Sequence, residues 1–213
     1  MSIPVRKVIT RRSCHSRGLV PSLKNERPAA WESQPEMQFL RLLELSPLVR
    51  AYTVQPSKEE LIVFGERSPY VPDVLVEYFD GTVVTYEVKP EASLRIARVA
   101  ARMHAAKEHF ANTGRVFRIV TAEWLLAEPR VTNVQRLMYH RRDPLSPLEQ
   151  SCFGSVLSSV VPLTVAGLIE AVGALDAWRL LGLGVVGVDL ELPLSSSAQI
   201  YLEGGHRHAH LCS

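Results

Sequence analysis

Pro72-Asp73-Val74-Leu75-Val76-Glu77-Tyr78-Phe79-Asp80-Gly81-Thr82-Val83-Val84-Thr85-Tyr86-Glu87-Val88-Lys89 is the stretch whose reading decides the fold. Two β-branched and aromatic runs, Val74 to Phe79 and Thr82 to Tyr86, flank Asp80-Gly81, and that dipeptide between such runs predicts a β-hairpin. Side chains alternate along a strand, so Glu87 and Lys89 share a face. A two-residue loop would pair Asp73 with Val88 and send its carboxylate to the opposite face. A three-residue loop with Gly81 in the left-handed conformation pairs Asp73 with Glu87, Val74 with Tyr86 and Val76 with Val84. Only the odd loop gives the hairpin one apolar and one acidic side, with Glu77 and Thr85 on the latter, so that register is expected.

Two carboxylates and a lysine at one hairpin mouth suit a divalent cation. Mg²⁺ takes hard oxygen ligands, commonly one or two carboxylates completed by substrate phosphate and water. Such an ion acidifies a bound water and offsets charge on a scissile phosphate, and a nearby lysine can orient or deprotonate that water or stabilise developing charge. The plain alternative is a surface hairpin with solvated end charges. Spacing alone does not choose between them.

The surrounding motifs do. Pro72-Asp73 followed by Glu87-Val88-Lys89 resembles the signature of the PD-(D/E)xK nuclease superfamily. Glu32-Ser33-Gln34-Pro35-Glu36 opening a helix, Gln55-Pro56 closing a strand, Tyr70-Val71-Pro72-Asp73 and Glu87-Val88-Lys89-Pro90 follow in an order similar to the TnsA family, the endonuclease subunit of heteromeric cut-and-paste transposases. The resemblance runs from about Ser33 to Asp143. It implies an α/β, restriction-endonuclease-like fold with a mixed central sheet flanked by helices. It further implies a Mg²⁺-dependent endodeoxyribonuclease (Mn²⁺ as a substitute) in which Asp73, Glu87, the Val88 carbonyl and Glu36 hold metal. Lys89 then serves the water and the transition-state charge, and Gln55 supports the site. Double-stranded transposon-end DNA nicked at its 5′ ends, a companion transposase, a regulator ATPase and a bacterial cytoplasmic setting also come from the resemblance. A stand-alone restriction or repair nuclease, and a non-catalytic DNA-binding or assembly subunit, are the rival readings.

The 213 residues are 46 % hydrophobic and carry a net charge of +2, which is ordinary for a globular protein with a sizeable core. No apolar run is long enough for a membrane span, and the charged N-terminus lacks the apolar segment of a signal peptide. Cys14, Cys152 and Cys212 are too dispersed for a zinc site or a disulfide framework and suit a reducing cytosol. No glycine-lysine phosphate loop is present, so ATP hydrolysis is not expected.

Charge is unevenly spread. Residues 1–30 hold seven Lys or Arg, among them Arg11 and Arg12, against Glu26 alone, a net of +6. This reads as a disordered basic arm that follows a phosphate backbone. From Glu149 onward, two arginines face six acids, a net of −4.

Residues 31–145 are expected to form the nuclease domain. Ser33 and Glu36 make a capping box for a helix to about Leu45, a structural role that competes with the metal role for Glu36. Val49 to Gln55 and Leu61 to Phe64 read as strands. A helix from about Glu91 to Ala111 would bury Leu94, Ala97, Ala101 and Ala105 and present Arg95, Arg98 and Arg102 as a DNA-binding ridge. Val116 to Val120 reads as a buried strand, parallel to the hairpin's second strand across that helix. A helix from Val131 to Tyr139 follows, and the Asp143-to-Pro147 stretch reads as a linker.

Residues 146–205 then read as a small α+β, winged-helix-like module: a helix capped by Thr164, a second starting at Asp176, and strands at Val185 to Leu192 and Gln199 to Leu202. Lacking cations, the module is expected to contact protein rather than DNA. Residues 206–213, with His206, His208 and His210, read as a frayed tail.

Overall fold

A computed structural model describes residues 17–209. Arg11 and Arg12 lie outside the described residues. The chain opens with β1 (Gly18–Val20) and β2 (Ala29–Trp31), paired antiparallel. Folded chain thus begins by Gly18, well before the expected end of the basic arm at residue 30. Lys24, counted among the arm's cations, donates to the Val49 carbonyl.

Helix α1 (Gln34–Leu45) follows, then β3 (Val49–Val54), β4 (Glu59–Val63), β5 (Glu66–Tyr70), β6 (Val74–Tyr78) and β7 (Val83–Lys89). Next come α2 (Glu91–Leu94), α3 (Ala97–Asn112), β8 (Val116–Thr121) and α4 (Ala122–Leu125). The central sheet runs β3-β6-β7-β8, antiparallel except for the parallel β7–β8 pair joined through α3. Such a mixed sheet with flanking helices fits a restriction-endonuclease-like fold.

The β6–β7 register sets Val74 against Tyr86 and Val76 against Val84, as the odd loop requires. Phe79, Asp80 and Gly81 form that loop. The Tyr78 amide donates to the Thr82 carbonyl at 2.9 Å, and Gly81 sits at φ 86°, which a side chain would resist. The Asp80 carboxylate accepts from the Thr82 amide and stiffens the turn.

Both faces of this sheet are covered. Val74, Val76, Val84 and Tyr86 are buried on one face, where the ring of Phe39 from α1 lies 5.4 Å from that of Tyr86. A second buried cluster joins Phe117 of β8 to Leu61 and Tyr70 of the β4–β5 hairpin and to Met103, Ala106 and Phe110 of α3. The acidic side of the hairpin is therefore roofed over: Thr85 is 2 % exposed and Glu87 4 %.

Four expectations change here. Strand β5 was not anticipated; it pairs with β4 through a two-residue turn at Phe64-Gly65. The single helix from Glu91 to Ala111 is instead two, because Ile96 is extended at ψ 121° and breaks it. The fully buried residues of α3 are Met103, Ala106 and Phe110; of the expected stripe, Leu94 and Ala105 pack half-buried against that cluster, while Ala97 is exposed. Strand β8 lies at the sheet edge, so Phe117 is buried while Val116 and Ile119 are exposed.

Among the described residues, 17–40 with 48–126 form one compact unit, and 41–47 with 127–209 a second. The expected boundary near residue 145 thus lies inside the second unit. That unit holds α5 (Arg130–His140), α6 (Pro147–Val160), α7 (Val165–Val172), α8 (Ala174–Leu183), β9 (Gly187–Val188) and β10 (Ile200–Tyr201). Helix α6 was not anticipated and starts at the end of what read as linker; Ser146 and Glu149 cap it reciprocally, with Pro147 at its first position. Thr164 caps α7 as expected, but the paired strands shrink to two residues each. The supposed tail is ordered through Ala209: His206 is buried and accepts from the Val188 amide, and His208 meets Asp189 at 2.8 Å. His210 lies outside the described residues.

Candidate active site

The site forms where β6 begins and β7 ends. Asp73 precedes β6, and its Oδ2 accepts the Val88 amide at 2.7 Å, which ties the carboxylate across the strand pair. One strand over, the Gln55 amide donates to the Asp73 carbonyl at 2.8 Å. Glu87 and Lys89 extend from β7 on one face, and Lys89 Nζ lies 2.6 Å from Glu87 Oε1 and 4.0 Å from Asp73 Oδ2. Lys89 Nζ also donates to the Val88 carbonyl at 3.3 Å. The other Glu87 oxygen accepts from the Tyr70 hydroxyl at 2.6 Å. A hydrogen bond to a buried charged group is worth about 1.5–3 kcal/mol, so Tyr70 holds Glu87 in place.

The electrostatics are unbalanced toward negative charge. Burial pushes the Asp73 carboxyl well above the usual carboxylate range; the Glu87 charge adds to this, Lys89 opposes it, and Glu36 adds again. Burial alone would lower Lys89, but Asp73 and Glu87 outweigh it and hold the ammonium above its ordinary value. Burial, then Glu87, pushes the Tyr70 hydroxyl up, so Tyr70 stays a donor. A lysine held in its charged form is suited to act as a cation and donor.

Glu36 is near enough to shift Asp73 and Lys89, yet its own oxygens are engaged in the helix cap. Oε1 accepts from the Ser33 hydroxyl at 2.9 Å and Oε2 from the Glu32 amide at 2.8 Å. Among the described residues, no three His, Cys, Asp or Glu side chains are gathered into a metal cage. The oxygen set that converges is therefore Asp73, Glu87 and the Val88 carbonyl. Gln55 is buried in a left-handed conformation at φ 48°, and its side-chain oxygen has no partner among the described residues. Hard oxygen donors, surplus negative charge and an orphaned carboxamide oxygen nearby fit a divalent cation.

Residues 28–122 match the family of the TnsA-like endonuclease N-terminal domain. This chain carries a TnsA-like endonuclease domain. The match covers a little under half of the chain and takes in Glu36, Gln55, Asp73, Glu87 and Lys89. No curated protein matches the chain.

Within the TnsA-like domain the three ridge arginines do not form one stripe. Arg95 ends α2, while Arg98 and Arg102 belong to α3. Arg102 donates to the Pro69 carbonyl at 2.7 Å and lies over the Tyr70 ring at 5.5 Å. Arg98 is exposed in the first turn of α3. Tyr70 is the site residue that sequence reading missed. It was quoted only as the start of Tyr70-Val71-Pro72-Asp73, and its hydroxyl reaches a carboxylate 17 positions away from a different sheet.

Proposed function

We propose that this protein is the endonuclease subunit of a cut-and-paste transposase, hydrolysing one strand of double-stranded DNA at the 5′ ends of the transposon. The observation that carries the reading is the Asp73–Glu87–Lys89 cluster, in which two converging carboxylates are only partly neutralised by a single lysine. Asp73, Glu87 and the Val88 carbonyl would hold Mg²⁺ (Mn²⁺ as a substitute), with Glu36 contributing from the start of α1. A bound divalent cation would acidify water and neutralise charge on the scissile phosphate. The chain's own groups supply the rest. Val88 N–H fixes the Asp73 carboxylate, Tyr70 fixes Glu87, and the Lys89 ammonium faces the position where negative charge develops. Gln55 braces Asp73 from the neighbouring strand.

The TnsA-like match supports DNA as substrate and a heteromeric setting, and we place a companion transposase and a regulator ATPase in that setting by resemblance. No helix among the described residues is long and apolar enough to cross a membrane. The winged-helix-like reading of the C-terminal module rests on the order α7, α8, β9, β10 and stays a proposal, as does its role in contacting protein partners.

Cleavage of transposon-end DNA, with and without the candidate partners, tests the reading. Mg²⁺-dependent nicking that falls about a thousandfold, a loss of about 4 kcal/mol of transition-state stabilisation, in Glu87→Gln and Lys89→Ala is expected. Undiminished nicking by both variants would refute the assignment.

A further inference from the structure

The β4–β5 hairpin buries Leu61 and Tyr70 on its inner side, yet its tip is apolar and open. Phe64 at the tip is 78 % exposed and Ile62 59 %. Phe64 and Gly65 both take positive φ, 54° and 82°, to close the turn. Holding a phenylalanine there costs roughly 1 kcal/mol or more and buries nothing, so core formation does not account for it. A groove of about 650 Å³ runs between this hairpin and the first turn of α3. Its charged lining is Arg67, Arg98 and Arg102 against Glu66.

Those arginines are available to an anion. Arg98 has no partner among the described residues. Arg67 meets Glu60 at 3.3 Å, but both side chains are well exposed, and such a pair is worth at most about 1 kcal/mol. Arg102 is half-buried, and only part of its guanidinium is committed to Pro69.

We infer that this hairpin is a DNA-engaging finger: Phe64 enters the minor groove of a duplex, while Arg67, Arg98 and Arg102 take the flanking phosphates. This rests on the nuclease reading above. A tip of Phe64-Gly65 offers no side-chain donor or acceptor to read the major-groove pattern. Apolar wedges instead enter the minor groove, part-unstack a base step and kink the duplex. The net positive lining favours a polyanion over an apolar protein surface. Reach is also right. Tyr70 at the base of β5 touches Glu87, and Gly65 lies five residues up that strand. At ~3.3 Å per residue the tip stands about 17 Å away, the length of about five base pairs. One duplex can therefore present a phosphate to the carboxylates and a groove to Phe64.

The test uses the full chain in EDTA with a fluorescent 30-base-pair duplex, measuring affinity against salt and duplex bending by end-to-end energy transfer. Phe64→Ala should weaken binding about five- to twentyfold, abolish the bend and leave the salt slope unchanged. Arg67→Ala and Arg98→Ala should each reduce the slope of log affinity against log salt by about 0.9. A wild-type protein that binds duplex as tightly and bends it as much as all three variants overturns the finger while leaving the nuclease reading intact. Variants that lose binding, in a protein whose nicking survives Glu87→Gln, would support the finger and sink the catalytic assignment. A wild type that binds no duplex even at low salt overturns both.

Discussion

Each of the two compact units buries charge, and they do so to opposite effect. In the second unit, Glu44 is fully buried and meets Arg141, whose guanidinium also donates to the Gly182 and Leu183 carbonyls. Elsewhere in the same unit, buried Arg130 pairs with Glu191, and buried Asn133 donates to the Leu190 and Leu192 carbonyls. Each buried charge there meets an opposite charge, and such matched groups fix a structure. In the first unit, Asp73 and Glu87 share one lysine, with Glu36 adding further negative charge. That mismatch raises Asp73 and is retained by a backbone amide and a tyrosine that hold the carboxylates together. Charge left unbalanced by a rigid scaffold is a mark of chemistry.

Breaking the matched pair should damage folding and spare chemistry. Arg141→Met leaves a buried carboxylate short of its cation and is expected to cost about 3–5 kcal/mol in chemical denaturation. Nicking per folded molecule should remain at the wild-type rate; a large loss there would tie the second unit to catalysis. Tyr70→Phe comes next. It removes one donor from Glu87, so stability should fall by about 1–2 kcal/mol and nicking by about tenfold. Equal nicking by Tyr70→Phe and wild type would mean that Lys89 alone positions Glu87.

Glu36 stands between the two kinds of site, being fully used in a cap yet felt by Asp73. Glu36→Gln keeps the size and much of the cap, so the unfolding free energy should change by no more than about 1 kcal/mol. Nicking should nonetheless fall at least tenfold if its charge belongs to the centre; loss of stability and activity in parallel would leave only the cap. The smallest effect concerns Glu59, a matched carboxylate in the first unit. Hydrogen bonds from Arg115, Ser57 and His109 outweigh its partial burial and hold it at about 2. Its folded value is depressed, so its contribution is complete above the unfolded carboxylate value and is lost as pH falls from about 4.5 toward 2. Urea denaturation at pH 5 and pH 2.5 should show a shallower acid loss in Glu59→Gln than in wild type.

The register of β6 and β7 was legible because a one-residue slip would have placed every apolar pair on the wrong face. That single inference brought Asp73 beside Glu87 and Lys89. Strand β5 was not legible, since Glu66-Arg67-Ser68-Pro69-Tyr70 has neither alternation nor β-branched residues, and it forms only because β4 offers an edge. Without β5, Tyr70 could not be placed over Glu87. The break at Ile96 leaves no trace in the sequence, as Arg95 and Ile96 both tolerate a helix. Helix α6 was legible and overlooked: Ser146, Pro147 and Glu149 are helix-start signals, which the flanking prolines disguised as linker.

The central claim is that the Asp73 carboxylate is retained for chemistry at a cost to stability. Asp73→Asn keeps an oxygen for the Val88 amide and removes the charge that Glu87 and Glu36 oppose. One preparation of this variant, assayed for Mg²⁺-dependent nicking and for melting temperature at pH 7.5, tests the claim directly. Nicking should be abolished while the melting temperature holds or rises, by about 2–4 °C for each kcal/mol of repulsion relieved. A variant that still nicks DNA, or one that loses activity only because it melts several degrees lower, would contradict it.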